Sequence, residues 1–304
     1  MSGLRKLFCM SLFIGLTLTP VAVIAGLKDG DLPASRWYAH VDLEEMRATE
    51  AGKHLYEWLD KEVFSELREE AGFDPDTEAD ELTAMSTPDG GLVFSMTGNF
   101  SQETKDRMIA LGAAGGNFDQ FSHNDKVYYR VENDEPRVAD DVVVENLYYS
   151  VALKNQVIAA SSESILKSML DNRGKISGDY DADDALIVLT AKKSLVQAGM
   201  DADGLSDERY WDSNVLRNAK QLALLIADKR GQLAIEAHLV AEEAEMANSL
   251  ASIVRGLISL QVFDEDMDPE VSKLLQSTNV DVDGATLQIE VTMDPETVVG
   301  VLDD

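Results

Sequence analysis

Residues 221–240 read QLALLIADKRGQLAIEAHLV, in which two apolar runs flank a short polar segment. That segment, Asp228 to Gly231, favours a chain reversal, and the flanking runs have the apolar content of partly buried strands. The stretch therefore predicts a β-hairpin with strands at Gln221–Ala227 and Gln232–Val240. A helix is predicted next, at Glu242–Leu260, because apolar residues recur there at helical spacing. Its predicted apolar stripe consists of Met246, Leu250, Ile253, Leu257 and Leu260.

The first half of the chain shows the same order of elements. Two apolar runs, Leu82–Thr87 and Gly91–Thr97, flank Pro88, Asp89 and Gly90, which are residues typical of hairpin turns. The other elements predicted for this half are a strand at Trp37–Leu43, a helix at Glu44–Glu70, a helix at about Ser101–Leu111, strands at Lys126–Val131, Leu147–Leu153 and Gln156–Ala160, and a short helix at about Ser162–Leu170.

The second half repeats that order around its own hairpin. Its other predicted elements are a strand at Ala185–Thr190, helices near Lys192–Ala198 and Pro269–Leu275, a strand at Thr286–Met293, and a last helix with Asp294 at the N-cap and Pro295 at the first helical position. Because the spacings between corresponding elements agree, we interpret the chain as an internal duplication. The alternative is an α+β chain that reaches this pattern without one.

The predicted fold class is α+β, with two similar modules, each an antiparallel sheet with helices mainly on one face. Two acidic segments poor in large apolar residues, 132–141 and 174–184, predict exposed loops. The second segment lies between the halves. We therefore place the modules at residues 26–176 and 177–304.

The first 25 residues have the parts of a cleavable signal peptide. Arg5 and Lys6 form a basic start, an apolar run extends from Leu7 to Ile24, and Ala25 provides a small residue before the cut. The alternative is an uncleaved anchor, because the run approaches the roughly 20 residues that cross a bilayer. We predict export and removal of residues 1–25.

The single cysteine, Cys9, lies within that leader, so the mature chain would contain none. Thiolate nucleophiles, zinc–thiolate sites, iron–sulfur clusters and disulfides all require cysteine, and the sequence excludes them from the mature chain. Exported eukaryotic proteins of this size usually carry disulfides. The predicted location is therefore the bacterial periplasm.

The formal net charge is -30, and removing Arg5 and Lys6 with the leader leaves 24 Lys and Arg against 56 Asp and Glu, which gives -32. Nucleic-acid backbones bind through basic side chains, so DNA, RNA and anionic membrane surfaces are excluded as partners. Two explanations of the acidity stay open. One is a salty environment in which counter-ions screen the carboxylates, and the other is a role in binding cations or basic proteins.

One short stretch resembles a known group of proteins. The residues that carry the resemblance are Leu32, Pro33 and Ala34, then Val41, Asp42 and Leu43 at the end of a strand, then Met46, Arg47, Ala48 and Lys53 in a helix. This stretch resembles the opening of secreted bacterial proteins of unknown function. The resemblance implies an exported α+β protein and carries no assigned activity.

The sequence contains only a partial match to a nucleophilic hydrolase. Ser164 and Lys167 have the S-x-x-K spacing of penicillin-binding proteins and β-lactamases, and Ser122-His123-Asn124 resembles their second element, but no K-T-G follows. A helix cap beside a solvated lysine explains the first motif equally well.

Other catalytic and nucleotide-binding patterns are incomplete as well. The four histidines, His40, His54, His123 and His238, stand apart in the sequence, so a satisfied or exposed side chain is the simpler interpretation of each. The glycine-rich segment 112–116 follows a predicted helix rather than a strand. It therefore predicts a helix end and not a phosphate-binding loop.

Calcium is the metal that the carboxylate-rich composition favours. The candidate ligands are Asp179, Asp181 and Asp183. Two similar clusters are Asp201, Asp203 and Asp207, and Asp264, Asp266 and Asp268. None of the three completes an EF-hand loop, and solvated loops are the alternative. No other cofactor is predicted.

Tyrosines are paired on two neighbouring predicted strands. Tyr128 and Tyr129 lie on one strand, and Tyr148 and Tyr149 lie on the next. Because side chains alternate along a strand, one tyrosine of each pair is expected to face away from the core. Such a pair could bind a peptide, a sugar or another protein. The alternative is a cross-strand pair that stabilises the sheet.

Taken together, these observations favour a non-catalytic, exported binding or interaction protein with a protein or small-molecule ligand that the sequence does not name. Two alternatives from other classes remain. One is a hydrolase whose site is assembled from dispersed Asp, Glu and His residues. The other is a carrier of an apolar ligand held between sheet and helices.

Overall fold

Antiparallel strands and helices make up most of the chain that the computed structural model describes. The described residues are 35–65, 68, 73–87, 90–114, 117–139, 142–175, 185–192, 219–261 and 274–303. The strands are β1 Trp37–Asp42, β2 Glu81–Ser86, β3 Leu92–Thr97, β4 Phe118–His123, β5 Lys126–Ala139, β6 Val142–Leu153, β7 Gln156–Ala160, β8 Ile187–Lys192, β9 Ala219–Asp228, β10 Leu233–Ala241, β11 Asn279–Asp283 and β12 Thr286–Met293. The helices are α1 Leu43–Ala48, α2 Glu50–Leu59, α3 Pro75–Glu78, α4 Gln102–Ala114, α5 Glu163–Asp171, α6 Ala244–Gln261 and α7 Pro295–Asp303, with a π-helical turn at Asp60–Phe64.

The contacts between residues divide the chain into two units. The first unit contains residues 40–44 and the described residues from 56 to 175. The second unit contains residues 35–39, residues 45–55 and the described residues from 185 onward. The module limits inferred from the sequence remain a prediction.

The sheet of the first unit has the strand order β1–β2–β3–β7–β6–β5–β4, and the ladders from β2 to β4 are antiparallel. Strands β2 and β3 form the hairpin that the sequence predicts. Strand β7 pairs with β3, with Val93 opposite Ala160. Helix α5 packs on β6 and β7 and buries Leu166 and Leu170. Strand β4 is the last strand in this order.

The sheet of the second unit has the strand order β8–β9–β10–β12–β11, again antiparallel. Helix α6 packs against β10, β11 and β12. Its buried residues Leu250 and Ala251 belong to the same core cluster as Leu239 and Leu287 of the sheet. Burying a leucine side chain of this kind stabilises a fold by about 1.5–3 kcal/mol.

The predicted class, α+β with antiparallel sheets, is confirmed, and both predicted hairpins are present. The exposed loop predicted at 132–141 is wrong, because residues 132–139 belong to β5. The continuous helix predicted at Glu44–Glu70 is wrong, because α1 ends at Ala48 and α2 begins at Glu50. Between them the hydroxyl of Thr49 donates to the backbone oxygen of Glu45 at 3.0 Å. Side-chain bonds of this type compete with the helical ladder and bend helices.

Helix α6 buries Met246 and Leu250 as predicted, but its second half buries a different stripe from the predicted one. The residues that pack on the sheet are Met246, Leu250, Val254 and Ile258. Ile253 and Leu260 are instead 48% and 71% exposed. The inward face also carries Ala247 and Ala251, both fully buried. Because alanine is small, the helix approaches the sheet closely along this face. That close approach favours burial of Val254 and Ile258 over Ile253 and Leu260, a choice that the apolar pattern alone leaves open.

The two units share an order of elements. In each, a hairpin is followed by a helix, and the chain then returns through a strand that pairs with the second strand of the hairpin, β7 with β3 and β12 with β10. A further helix follows that strand in both units. The first unit has two additional strands, β4 and β5. The internal duplication itself remains a prediction.

Candidate functional site

Strands β4 and β5 carry an aromatic and charged ladder on one face of the first unit's sheet. Phe121 lies directly opposite Tyr128, and Asp119 lies opposite Arg130. The rings of Phe121 and Tyr128 stack with their centroids 5.4 Å apart. The guanidinium of Arg130 lies 5.9 Å from the Phe121 ring centroid and forms an ion pair with Asp119. Phe121 is 37% exposed, and its contacts with Tyr128 and Arg130 fix the position of the exposed ring.

The tyrosine beneath that ring is held by helix α5. Tyr128 is only 2% exposed, and its hydroxyl donates to a carboxylate oxygen of Glu163. Burial raises the pKa of Tyr128, and the bond to Glu163 raises it further. The ammonium of Lys167 lies 3.1 Å from the same carboxylate and 5.7 Å from the Tyr128 ring centroid. Tyr128 is thus a fixed support for Phe121.

This cluster also decides how the S-x-x-K pair is arranged. Lys167 is bonded to Glu163, and that bond raises the pKa of the lysine. The bonds from Tyr128 and Lys167 lower the pKa of Glu163 in turn. Ser164 has the hydroxyl of Ser162 as its side-chain neighbour at 3.2 Å. A protonated, ion-paired lysine is a poor general base, because base catalysis requires a lone pair near neutral pH.

The turn between β4 and β5 is tied to the far end of α5. The Nε2 atom of His123 lies 2.9 Å from Oδ1 of Asp171, and the amide of Asn124 donates to the same oxygen at 2.8 Å. The bonds from His123 and Asn124 lower the pKa of Asp171. The ammonium of Lys126 donates to the backbone oxygen of Leu170. These contacts hold the hairpin against the helix at its closed end.

The other face of the same strands carries a buried aromatic cluster. Tyr129 lies opposite Tyr149 with ring centroids 5.3 Å apart, and Phe118 stacks on Tyr129 at 5.2 Å. The hydroxyl of Tyr149 donates to the backbone oxygen of Met108 in α4 at 3.3 Å. Burial raises the pKa of Tyr149. This cluster packs β5 and β6 against α4.

The four tyrosines named from the sequence therefore divide between the two faces. Tyr129 and Tyr149 share the face of α4, whereas Tyr128 and Tyr148 share the face of Phe121. Tyr128, Tyr129 and Tyr149 are buried, and Tyr148 is partly exposed opposite Arg130. A binding role for these tyrosines remains a prediction. Sequence reasoning missed Phe121, because FDQFSH at 118–123 lacks strict alternation.

Three histidines of the described residues, His40, His123 and His238, have separate partners. Nδ1 of His40 lies 3.0 Å from the Thr83 hydroxyl, and Nε2 of His238 lies 3.2 Å from Glu236. Glu236 and His238 are both buried on β10, and burial raises the pKa of Glu236. Among the described residues, no three His, Asp or Glu side chains are placed to hold a metal together.

Several sequence predictions lie outside the described residues. They are the leader at 1–25, the calcium candidates Asp179, Asp181 and Asp183, and the clusters at Asp201–Asp207 and Asp264–Asp268. Calcium binding therefore remains a prediction. Across the described ranges, no helix has the length and apolar character that a bilayer crossing requires.

Comparison with known proteins supports the fold alone. No protein-family model matches the chain, and no curated protein matches it. Among solved structures, crystal form III of TP0453 is similar to the chain with a TM-score of 0.50 and 10% identity, over 90% of this chain and 95% of that one. Crystal form IV of TP0453 gives a TM-score of 0.47 at 10% identity, over 90% and 94% of the two chains. At this identity, function does not transfer with the fold.

Proposed function

We propose that the protein is a non-catalytic, exported binding protein that contacts its partner through the β4 surface, defined as Asp119, Phe121, Arg130 and Tyr148. The observation that carries this proposal is the exposed Phe121 ring, stacked on a buried tyrosine and flanked by a guanidinium. Export and a periplasmic location rest on the leader and on the cysteine-free mature sequence.

The composition of the β4 surface suits protein recognition. Aromatic side chains and arginine are enriched at the centres of protein interfaces, whereas lysine and glutamate are depleted there. Ordering flexible side chains opposes binding. Phe121 is already fixed by Tyr128, and Arg130 by Asp119, so both have lost much of that freedom before a partner arrives.

The arrangement of the serine motif also favours binding over catalysis. In the part of the chain that the structure describes, Lys167 forms an ion pair with Glu163, and the hydroxyl of Ser164 contacts the hydroxyl of Ser162. An activated serine needs a base in hydrogen-bond contact with its hydroxyl. The cluster at α5 instead supports Tyr128.

The test compares what co-purifies with the protein and with two variants. Protein taken from the periplasmic fraction is isolated at low and at high salt, and bound proteins are identified by mass spectrometry. We expect a partner that Phe121→Ala loses and that Phe121→Tyr, which keeps the ring, retains. Circular dichroism checks that both variants fold.

Two outcomes contradict the proposed function. One is a partner that binds both variants equally, which places the interface elsewhere. The other is turnover in a broad esterase and glycosidase panel with nothing co-purifying, which would favour a hydrolase.

A further inference from the structure

Strand β4 leaves half of its backbone groups pointing away from the sheet. The backbone N–H of Glu132 donates to the oxygen of Asn117 at 3.0 Å, so this opposed pair is a hydrogen-bonded one. Hydrogen-bonded and non-hydrogen-bonded pairs alternate along an antiparallel ladder. It follows that Asp119, Phe121 and His123 bond to β5. The residues whose N–H and C=O groups face the open edge are Phe118, Gln120 and Ser122.

These outward groups have no partner among the residues that the structure describes. Asp119, Gln120, Phe121 and Ser122 are all exposed, and β4 is the last strand in the order of its sheet. An unpaired strand edge is a template for another strand. The edge of β4 is therefore available to a second polypeptide.

The last strand of the second unit, β11, is protected in a way that β4 is not. There the guanidinium of Arg255 donates to the backbone oxygen of Val280 at 2.6 Å, and the backbone N–H of Val282 donates to the carboxylate of Asp281 at 2.8 Å. Side chains thus occupy backbone groups of β11. Strand β4 has no such contact in the described residues, and FDQFSH contains neither the lysine nor the proline that natural edges often use.

We infer that the edge of β4 receives an extended segment of a partner protein, which adds to the sheet as an antiparallel strand. This inference rests on the proposed function and specifies the partner of the same surface. The six residues of β4 match a segment roughly 20 Å long, at about 3.4 Å per residue. Strand addition of this kind gains affinity from backbone bonds and specificity from alternate side chains.

The rows of side chains that cross β4 define the chemistry of that segment. The incoming residue opposite Phe121 extends the row of Tyr128 and Phe121, so an aromatic or apolar side chain fits there. The incoming residue two positions away lies opposite Asp119, which separates it from Arg130. A basic side chain therefore fits there. A net charge of -30 also attracts a basic segment.

A second copy of the chain fits this edge poorly. Antiparallel pairing of two β4 strands about Gln120 would place each Asp119 opposite the other Phe121, and pairing about Phe121 would place each Asp119 opposite the other His123. In either register the pairing would join two chains that each carry a formal charge of -30, and this repulsion opposes it. The partner is therefore a different, basic polypeptide.

The test uses two fluorescein-labelled peptides with the purified protein, read by fluorescence anisotropy at low salt. The first probe is acetyl-Thr-Arg-Thr-Phe-Thr-Arg-Thr-amide, which places a basic residue on both sides of the phenylalanine. The second replaces arginine by glutamate. We expect the first to bind and the second to bind at least about tenfold more weakly.

N-methylation tests the backbone register. Antiparallel addition predicts that the threonine amides bond to β4, whereas the amides of the arginines and phenylalanine point away. Methylating the threonine amides is expected to abolish binding. Methylating the other three amides is expected to leave it within about twofold.

The variant Gln120→Pro removes an outward N–H without touching the bonds to β5, and prolines are tolerated at such edge positions. We expect at least about tenfold weaker peptide binding, while Gln120→Ala, the matched control, binds normally. Circular dichroism and thermal unfolding show whether the proline variant is folded. The N-methylated peptides test the same backbone hydrogen bonds on the unmodified protein.

The outcomes separate this inference from the proposed function. Loss of binding in Phe121→Ala but not in Gln120→Pro would retain the β4 surface and overturn strand addition. Equal binding of both methylated peptides, or no binding of the arginine peptide at millimolar concentration, would also overturn it. Self-association abolished by Gln120→Pro would assign the edge to a second copy and contradict the inference.

Discussion

At the residue scale, position within a strand decides what each tyrosine does. Tyr128 and Tyr129 are neighbours in the chain, yet Tyr128 supports an exposed ring and bonds to α5, whereas Tyr129 packs with Tyr149 against α4. The alternation of side chains along a strand separates them. Helices cover both faces here, so three of the four tyrosines are buried.

The close contact between Gly112 and Tyr149 gives a prediction about stability. A Cβ atom on Gly112 of α4 would lie 2.2 Å from the Tyr149 hydroxyl oxygen. We expect Gly112→Ala to lower the free energy of unfolding by roughly 1–3 kcal/mol, because overpacking outweighs the better helix propensity of alanine. Urea denaturation measures the difference.

The control is Gly256→Ala in α6, where a Cβ atom would have no neighbour within 4 Å. It is expected to raise stability by about 0.5–1 kcal/mol. Equal effects at the two positions would contradict the packing of Tyr149 against α4.

Glu78 gives a prediction about pH. Its carboxylate accepts bonds from the Thr104 hydroxyl at 2.5 Å and from the backbone N–H of Ser101 at 3.1 Å and of Asp74 at 3.4 Å. Burial alone raises the pKa of Glu78, but these bonds outweigh it and leave the pKa below its usual value. The stabilisation is therefore present above the ordinary pKa of about 4.3 and is lost as the pH falls through the lowered value.

We expect Glu78→Gln to reduce stability at neutral pH by roughly 1–3 kcal/mol and to reduce it far less in acid, as measured by chemical denaturation at several pH values. The comparison variant is Glu103→Gln, whose carboxylate pairs with Arg107 at the surface and contributes at most about 1 kcal/mol. A loss that is the same at all pH values would exclude a charge-dependent role for Glu78.

At the element scale, sequence analysis missed two strands, β4 and β11, and each is the strand at which the strand order of its unit ends. The pattern NVDVD at 279–283 does alternate, and Gly284, with a φ of 57°, provides the turn into β12. The pattern of β4 does not alternate, because its aromatic residues lie on opposite faces. Last strands are half exposed, which weakens their hydrophobic signal.

The protection of β11 predicts self-association when it is removed. In Arg255→Ala/Asp281→Ala, the oxygen of Val280 and the N–H of Val282 lose their side-chain partners. At high salt, which screens the repulsion between acidic chains, an unprotected edge pairs with other edges, so we expect a larger concentration-dependent rise in sedimentation coefficient than for the unmodified protein. Arg173→Ala/Glu243→Ala removes the same charges elsewhere and is expected to stay unchanged. An increase in both double variants would indicate a general charge effect.

At the scale of the whole molecule, charge dominates behaviour in solution. A formal net charge of -30 destabilises any compact state through self-repulsion and also keeps molecules apart. The ion pairs of Arg68 with Asp60, Asp74 and Asp76 offset this only locally. Screening by salt is therefore expected to stabilise the protein overall.

We expect the melting temperature to rise as NaCl increases from about 0.01 M to about 1 M, since the Debye length falls from roughly 30 Å to roughly 3 Å. Differential scanning calorimetry measures this shift. KCl should act equally, because the effect depends on ionic strength. A constant or falling melting temperature would show that repulsion is not limiting.

The same measurement tests the calcium prediction. If Asp179, Asp181 and Asp183 bind calcium, then Ca²⁺ raises the melting temperature more than Mg²⁺ at matched ionic strength, because the binding free energy adds to folding. The variant Asp181→Asn should lose the difference. Identical curves for the two cations would exclude a specific site.

The sequence by itself determined the fold class, both hairpins and most strands and helices of the described residues, because local alternation, helical periodicity and turn residues act over a few positions. Only the tertiary structure decided which stripe of α6 is buried, which tyrosines face which helix, and that Phe121 is presented at an open edge. These depend on packing between elements far apart in the chain. Strand order and register bring such elements together, and no local pattern encodes either of them.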